Sequence, residues 1–401
     1  METARFTREE LAERIEKLRE SIQAMKLDGA LILQRADLIY YTGAAFQGAL
    51  AVSGNGKAIL FVWRGQGLLG DNIPVEVRSI KGFGALHEEL KLVNATSWKR
   101  IGFEEDVLPV AMHKRLMNKL WLAGESVDIS PVIRRQRSVK SESELERVRR
   151  SGRVLSLGFQ ALTEILREGI YEYEAQALMD VVLRGGGDQA AGRTRGFNAE
   201  ARGVVASGAS AGAPTAFDGP VGQPGRNPLA PMGAGGDMIR AGVPIVVDHT
   251  AGVDGYMTDM TRCYAIGKVE ARFEDAHQFC VDLHKQLLQK LVPGAVPEDL
   301  YWWAIEQAER AGYGENFMNR GDNRVRFIGH GIGIEMDEWP VIARSFTDPL
   351  EENTVLAVEP KIIYDDGGVG VEDTVVVTPS GGVPVTQMAL GIASAGERGI
   401  R

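Results

Sequence analysis

Four carboxylates lie inside apolar segments that otherwise resemble β-strands, and this pattern constrains the fold more than any other feature. The acids and their segments are Asp248 in VPIVVD (243–248), Asp259 in GYMTDMTRCYAIG (255–267), Glu359 in TVLAVEPKIIY (354–364) and Glu372 in VGVEDTVVVT (369–378). An ionised side chain on a buried strand face costs a large free energy unless it is paired or binds a cation. We therefore expect the fold to bring these acids to a counter-ion.

Each pair of acids belongs to a predicted β-hairpin. Alternation along the second strand puts Asp259 on an inward face, so Asp248 and Asp259 are expected to face each other. In the other hairpin, a turn at 365–368 connects the two β-type arms that carry Glu359 and Glu372. The alternative is that a strand acid is an edge or bulge residue, or that two of them form half of a salt bridge.

A histidine lies between the two hairpins, in the stretch GHGIGIEMDEWP (329–340), which is predicted to be a loop. His330 could belong to a solvated turn, because glycines favour any tight turn. One imidazole with carboxylates suits Mn²⁺, Fe²⁺, Co²⁺ or Zn²⁺ rather than a thiolate-type structural zinc site. Five ligands, two of which could bridge, are what a two-metal hydrolytic site requires. Of the other histidines, we expect His249 to be structural, and His277 and His284 to lie on a helix surface.

The length of 401 residues favours two domains, which we place at 1–138 and 139–401. Strand-like segments in the first part are GALILQ (29–34), AILFVW (58–63) and RIGFEE (100–105), with helical patterns between the later ones, which indicates a small α/β domain. A capping box at 141–144 predicts a helix start. The basic stretch 133–140 before it is expected to be a solvated connection. The Gly-, Ala- and Pro-rich segment 184–242 is expected to form ordered loops that line a site.

The charge balance argues against several classes of partner. A net charge of −9 and a pI near 5.4 argue against nucleic-acid binding and against docking to anionic membranes. No apolar run approaches the ~20 residues of a membrane-spanning helix, and METARFTREE lacks the apolar core of a signal peptide. Two cysteines, Cys263 and Cys280, are too few for a disulfide framework. We therefore expect a cytoplasmic protein.

Several motifs together resemble one known family. They are DHTAGVDGYMTDMTR (248–262), FIGHGIGIEMDE (327–338), VLAVEP (355–360), VGVEDT (369–374) and, nearer the N-terminus, YYTG (40–43). The chain resembles the metallopeptidase family of Xaa-Pro aminopeptidases, prolidases and creatinases over nearly its whole length. The resemblance implies a small creatinase-like α/β domain and then a "pita-bread" catalytic domain, with a curved, mainly antiparallel sheet flanked by helices. It also implies a homodimer or a larger assembly.

The resemblance implies a role for each ligand. Asp248 would bind one metal ion, Asp259 and Glu372 would bridge both ions, and His330 and Glu359 would complete the other site. A water or hydroxide between the ions would be the nucleophile, because two cations lower its pKa. Glu359 would also act as the general base. Thr261 would hydrogen-bond a ligand carboxylate. Manganese is the expected ion, with Co²⁺, Zn²⁺ and Fe²⁺ as alternatives.

The chain departs from the proline-specific members at positions that contact substrate. Asp337 stands where those members typically carry a histidine, and the loop at 207–228 contains none. Gly370 stands where they often have an arginine. Asp337 could take part in catalysis, attract a cationic substrate group or hydrogen-bond a loop amide. Phe217 and Asp218 are candidate substrate contacts.

The sequence thus predicts a dinuclear metal-dependent aminopeptidase or dipeptidase, with Xaa-Pro bonds among its candidate substrates. One alternative is a metal enzyme on the same scaffold that acts on a C–N or C–S bond of a small non-peptide molecule, as an amidine hydrolase or a lyase. The other is a non-catalytic binding protein. Retention of all five ligands favours the metal-dependent enzyme, while the residues that would recognise proline differ.

Overall fold

The chain forms two compact units, Met1–Arg137 and Ser138–Arg401, in a computed structural model. The structure describes residues 6–92, 94–120, 124–189, 192–198, 203–222, 224–229 and 233–396. The first unit contains a mixed sheet and the second a mainly antiparallel sheet, each packed with helices. The predicted α/β class is confirmed. The predicted boundary after residue 138 lies one residue from the division between the units.

The first unit has a sheet with the strand order β4-β3-β2-β1-β5-β6 in the described residues. Its elements are α1 (Arg8–Ala24), β1 (Gly29–Ile32), α2 (Arg35–Thr42), β2 (Gln47–Ser53), β3 (Ala58–Arg64), β4 (Glu76–Ser79), α3 (Leu86–Leu92), β5 (Arg100–Phe103), α4 (Val110–Leu120), β6 (Glu125–Asp128) and α5 (Ser130–Ser138). Strand β2 is antiparallel to both of its neighbours, and the remaining pairs are parallel. The three strands predicted from the sequence correspond to β1, β3 and β5.

The basic stretch at 133–140 is mostly helical, so the prediction of a solvated connection is wrong. Helix α5 spans Ser130–Ser138 and buries Ile133 and Arg137. The Arg137 guanidinium lies 2.6 Å from Asp37 Oδ1, and both side chains are buried. Pairing with a carboxylate offsets the cost of burying the arginine. The local sequence showed the basic residues but not this distant partner.

The second unit is built around a sheet with the order β11-β10-β12-β15-β9-β8-β7 in the described residues. Its elements are α6 (Glu142–Ile165), α7 (Glu172–Gly185), β7 (Val204–Ser207), β8 (Ile245–Val253), β9 (Tyr256–Ala265), α8 (Ala271–Lys290), α9 (Pro297–Arg310), β10 (Phe327–Gly331), β11 (Glu338–Ala343), β12 (Val355–Val358), β13 (Lys361–Tyr364), β14 (Gly367–Gly370), β15 (Glu372–Thr378), β16 (Gly381–Pro384) and β17 (Ala393–Ser394). Strands β13 and β14 pair only with each other in the described sheets and form a two-stranded ribbon.

Helices cover both faces of this sheet because its central strands alternate two sets of apolar residues. Val246 and Cys263 join the core that contains the buried side chains of α8. Val247 and Tyr264, one position further along each strand, join the core that contains α6 and α7. Burial on both faces explains why the sequences of β8 and β9 are nearly continuous runs of apolar residues.

The helices of the second unit confirm one prediction and correct another. Ser141 caps α6 in the predicted capping box. His277 and His284 are buried on α8, so their predicted surface position is wrong. Burial lowers the pKa of the His284 imidazole to about 4, so this ring is neutral at physiological pH. No helix in the described part of the chain has the length and apolarity needed to cross a membrane.

The Gly-, Ala- and Pro-rich segment contributes a strand to the sheet. Strand β7 pairs with β8, with Val204 opposite Asp248, so this segment lies beside the first predicted ligand. A 3₁₀ helix at Gly208–Gly212 follows directly. Residues 190–191, 199–202, 223 and 230–232 of the predicted loops lie outside the described residues.

Candidate metal centre

The five predicted ligands lie on or beside five neighbouring strands. In the order β10-β12-β15-β9-β8, these strands carry His330, Glu359 (one residue past β12), Glu372, Asp259 and Asp248. Glu372 pairs with Thr261 on β9, and Thr261 pairs with Asp248 on β8, so one row crosses three strands. The sheet thus assembles side chains that are far apart in sequence.

The first two acids are diagonal neighbours rather than directly opposed. Asp248 pairs with Thr261, and Asp259 pairs with Thr250. Because Asp259 and Thr261 are two residues apart, their side chains and that of Asp248 share one face of the hairpin. The predicted common face is therefore present, while the predicted face-to-face register is wrong.

The second predicted hairpin is split between the large sheet, which contains β12 and β15, and a separate two-stranded ribbon of β13 and β14. Strand β12 ends at Val358, before Glu359 and Pro360, and β15 begins at Glu372. Between them the chain leaves the large sheet and forms the β13–β14 ribbon. The break follows from Pro360, which has no N–H to donate to a strand ladder. Glu359 therefore lies at a strand end, not inside a strand as predicted.

His330 lies in strand β10, which corrects the predicted loop. Its flanking glycines allow close strand packing. A Cβ on Gly329 would lie 2.3 Å from the Ala357 carbonyl oxygen, and one on Gly331 would lie 2.3 Å from that of Trp339. Larger residues would push the neighbouring strands away. The glycines thus serve the sheet in which the histidine is placed.

The hydrogen bonds of His330 determine which ring nitrogen can bind an ion. Nδ1 lies 3.0 Å from the Gly331 carbonyl oxygen. Because a carbonyl oxygen can only accept, Nδ1 carries the proton and Nε2 has a free lone pair. Nε2 lies 3.6 Å from Glu359 Oε1. This tautomer is the one that a metal-binding imidazole requires.

Two groups of three side chains in the described residues have ligand atoms within 4.8 Å of one another. The first, which we call group A, is Asp259, His330 and Glu372; the second, group B, is Asp248, Glu359 and Glu372. Glu372 belongs to both, as expected of a bridging ligand. The donor chemistry, carboxylates and one imidazole, fits a catalytic divalent metal ion.

Burial makes these acids unfavourable without a cation. Burial raises the pKa of Asp259 well above its usual value, and the negative charges of Asp248 and Glu359 raise it further. Burial likewise raises the pKa of Glu372, followed by the charges of Asp259 and Glu359. In addition, Glu372 Oε1 is buried without a hydrogen-bond partner in the described structure. An orphaned carboxylate oxygen of this kind is suited to bind an ion.

Lys361 lies among the ligands, and the sequence reasoning missed it. Its side chain is fully buried, and Nζ lies 2.5 Å from Glu359 Oε2, 3.0 Å from Glu372 Oε2 and 3.2 Å from Asp248 Oδ2. Burial alone lowers the pKa of this ammonium, but the three carboxylates outweigh it and hold the pKa well above its usual value. A lysine in an apolar β-type run, two residues after Glu359, was the available signal.

Thr261 and Arg262 position Glu372 from neighbouring β9. The Thr261 hydroxyl donates to Glu372 Oε2 at 2.7 Å. The Arg262 guanidinium donates to the Glu372 carbonyl oxygen at 2.7 Å and pairs with Asp373 at 2.7 Å. Both side chains of the Arg262–Asp373 ion pair are buried. The Arg262–Asp373 pair also went unpredicted, although both residues adjoin the ligand set in sequence.

Asp337 accepts hydrogen bonds from a neighbouring backbone segment. Its Oδ1 lies 2.9 Å from the Arg195 amide nitrogen, and Oδ2 lies 3.3 Å from that of Gly196. Arg195 and Gly196 lie in a loop, so these contacts correspond to the third predicted role of Asp337, a hydrogen bond to a loop amide. The other acids of the stretch are ion-paired: Glu335 with Arg195, and Glu338 with Lys140.

The remaining predicted contacts are not brought into the ligand groups. Phe217 is half-buried, and its amide donates to the Thr215 hydroxyl at 3.1 Å. Asp218 is exposed and belongs to neither group A nor group B. His249, predicted to be structural, is buried with Nε2 3.0 Å from Asp180 Oδ1.

Family models match both units. The model of metallopeptidase family M24 matches residues 146–379, and that of the creatinase/prolidase N-terminal domain matches residues 14–139. Among similar proteins, a Xaa-Pro dipeptidase of Pyrococcus horikoshii is 26% identical over 94% of this chain and 97% of its own. A putative dipeptidase of Bacillus subtilis is 27% identical over 72% of this chain and 70% of its own.

Solved structures share the fold. A prolidase from Pyrococcus horikoshii superposes with a TM-score of 0.78 at 24% identity, covering 94% of this chain and 99% of that one. A Xaa-Pro dipeptidase from Bacillus anthracis gives 0.81 at 21% identity, covering 96% and 99%. These likenesses confirm the predicted pita-bread architecture with its creatinase-like N-terminal domain.

Proposed function

The chain belongs to metallopeptidase family M24, and on this premise we propose that it is a metal-dependent exopeptidase that hydrolyses the N-terminal bond of small peptides. The observation that carries the proposal is the convergence of one imidazole and four carboxylates from five adjacent strands. The Lys361 ammonium contacts three of these four acids, and a single positive charge cannot neutralise four carboxylates, which supports ion binding. Relatives named Xaa-Pro dipeptidase make Xaa-Pro peptides the first substrates to test.

Bound divalent ions would supply Lewis acidity and a water molecule of lowered pKa. Group A would hold one ion, and group B would hold a second ion only with Lys361 displaced; Mn²⁺ is expected, with Co²⁺, Zn²⁺ or Fe²⁺ as alternatives. Glu359 would accept a proton at Oε1, because its Oε2 is engaged by Lys361. Thr261 would keep Glu372 oriented.

Asp337 bears on the choice of substrate. Both oxygens of its carboxylate already accept backbone N–H bonds, from Arg195 and Gly196, and the group lacks the N–H donor of the histidine that proline-specific members carry there. A substrate class other than Xaa-Pro peptides is therefore the second candidate. It comprises small molecules with a scissile C–N or C–S bond.

The test uses the full chain, stripped by a chelator and reloaded, in separate samples, with Mn²⁺, Co²⁺, Zn²⁺ or Fe²⁺. Xaa-Pro dipeptides and Xaa-Pro-Yaa tripeptides are compared with Xaa-Ala peptides of equal length, and products are separated by chromatography. We expect release of the N-terminal residue, with Glu359→Gln slower by roughly 10²–10⁴-fold. The exposed Glu274→Gln serves as the matched control. No cleavage with any of the four metals would contradict the proposal; turnover of small metabolites alone would favour the second candidate.

We also propose a homodimer, on the strength of the family resemblance. A chain of 43.6 kDa would then sediment at about twice that mass, and a concentration-independent monomer would contradict the proposal. A cytoplasmic location remains a prediction that rests on the charge balance and the low cysteine content.

A further inference from the structure

We propose that the Lys361 ammonium is a built-in cation of group B, so that the protein binds one divalent ion, in group A, instead of two. This inference rests on the proposed metal centre but not on the reaction that the centre performs. It differs from the two-ion arrangement that the five ligands suggest from sequence.

Lys361 already fills group B. Its Nζ contacts one oxygen of each member, Asp248, Glu359 and Glu372, at 2.5–3.2 Å. A divalent ion binds carboxylate oxygens at about 2.0–2.2 Å. An ion held by these three side chains would therefore occupy the space of the ammonium and be repelled by its charge. The Lys361 ammonium and a divalent metal ion therefore compete for the same position in group B.

Group A has ligand atoms that Lys361 does not contact. The two oxygens of Glu372 have different surroundings: Oε2 accepts from Lys361 and Thr261, while Oε1 is buried without a hydrogen-bond partner in the described residues. His330 presents the free lone pair of Nε2, because Nδ1 donates to a carbonyl oxygen. Asp259 is the third member. The ligand atoms that remain available are those of a single ion site.

A glycine opposite Lys361 provides space for the lysine side chain. Lys361 pairs with Gly370 across the β13–β14 ribbon. A Cβ on Gly370 would lie 2.4 Å from Lys361 Cγ and 2.9 Å from its Cα. The absence of a side chain at 370 thus permits the lysine stem to occupy its present position.

The test counts Mn²⁺ ions in the full-length protein. Metal-stripped chain is titrated with MnCl₂ by calorimetry, and the bound Mn²⁺ is examined by electron paramagnetic resonance. We expect one ion per wild-type chain, with the spectrum of an isolated ion. Lys361→Ala should bind two ions and show the spectrum of an exchange-coupled pair.

The matched control is Lys140→Ala, because Lys140 is also buried and pairs with one carboxylate, Glu338, outside both groups. It should still bind one ion. Two ions in the wild-type chain, none in it, or one ion in a folded Lys361→Ala would each overturn the inference. The wild-type count decides the matter even if the variant does not fold. One ion without peptide cleavage would contradict the proposed function alone, and two ions with cleavage would contradict this inference alone.

Discussion

Glu372 illustrates how much depends on individual atoms in this centre. One of its oxygens is held by the Thr261 hydroxyl and the Lys361 ammonium, and the other is unpartnered in the described structure. A carboxylate fixed at one oxygen presents the other in a defined direction. Hydrogen bonds to ligand carboxylates therefore contribute to ion affinity although the donor never touches the ion.

Thr261→Val should lower Mn²⁺ affinity roughly 10–100-fold, because Glu372 loses the donor that orients it. Calorimetric titration of metal-stripped protein measures the effect. Thr258→Val is the matched control, since Thr258 is buried on the same strand but donates to the Ser151 hydroxyl. An equal loss of affinity in the two variants would mean that Thr261 acts only through general stability.

The β13–β14 ribbon is the element that carries Lys361 into the centre. It leaves the large sheet after Pro360 and pairs Lys361 with Gly370. Gly370→Ala should displace the lysine stem and allow a second Mn²⁺ ion to bind, as measured by the ion count per chain. Gly368→Ala, whose Cβ would meet the end of Ile363 at 2.6 Å, disturbs the same ribbon elsewhere. A second ion in both variants, or in neither, would contradict this role of Gly370.

Glu172 links the start of α7 to the turn after β7. Its Oε1 accepts from the Ser207 amide at 2.7 Å and from the Ser210 hydroxyl. Burial raises the pKa of its carboxyl from 4.5 to about 7, opposed by these hydrogen bonds, while the charge of Asp237 raises it further. The folded protein therefore retains a proton that the unfolded chain releases between those pH values.

The free energy of unfolding should consequently decrease as pH rises from 4.5 to about 7, by roughly 3 kcal/mol from this group. Glu172→Gln should remove that part of the pH dependence and be more stable than wild type at pH near 8, as urea unfolding at several pH values would show. The exposed Glu309→Gln is the control. Parallel wild-type and Glu172→Gln profiles would contradict the assignment.

Across the whole molecule, the features that could be predicted are those with a local signature. Acids in apolar runs identified four carboxylates that converge in the structure, and period-two alternation placed Asp248 and Asp259 on one face. Features set by distant partners were missed. Helix α5 depends on Asp37 to bury Arg137, and the position of Lys361 depends on Asp248 and a glycine across the ribbon. Such pairs cannot be predicted from local sequence patterns, because these patterns do not indicate which strands become neighbours.

The central claim is that the cluster of His330 and four carboxylates contains the metal site of an exopeptidase. The most direct measurement is the rate of hydrolysis of one Xaa-Pro dipeptide by a single preparation that is untreated, chelated and then reloaded with Mn²⁺. We predict that chelation abolishes cleavage, that Mn²⁺ restores it in the wild-type chain, and that His330→Ala does not recover. Undiminished cleavage by the chelated protein, or no cleavage by protein that has bound Mn²⁺, would contradict the claim.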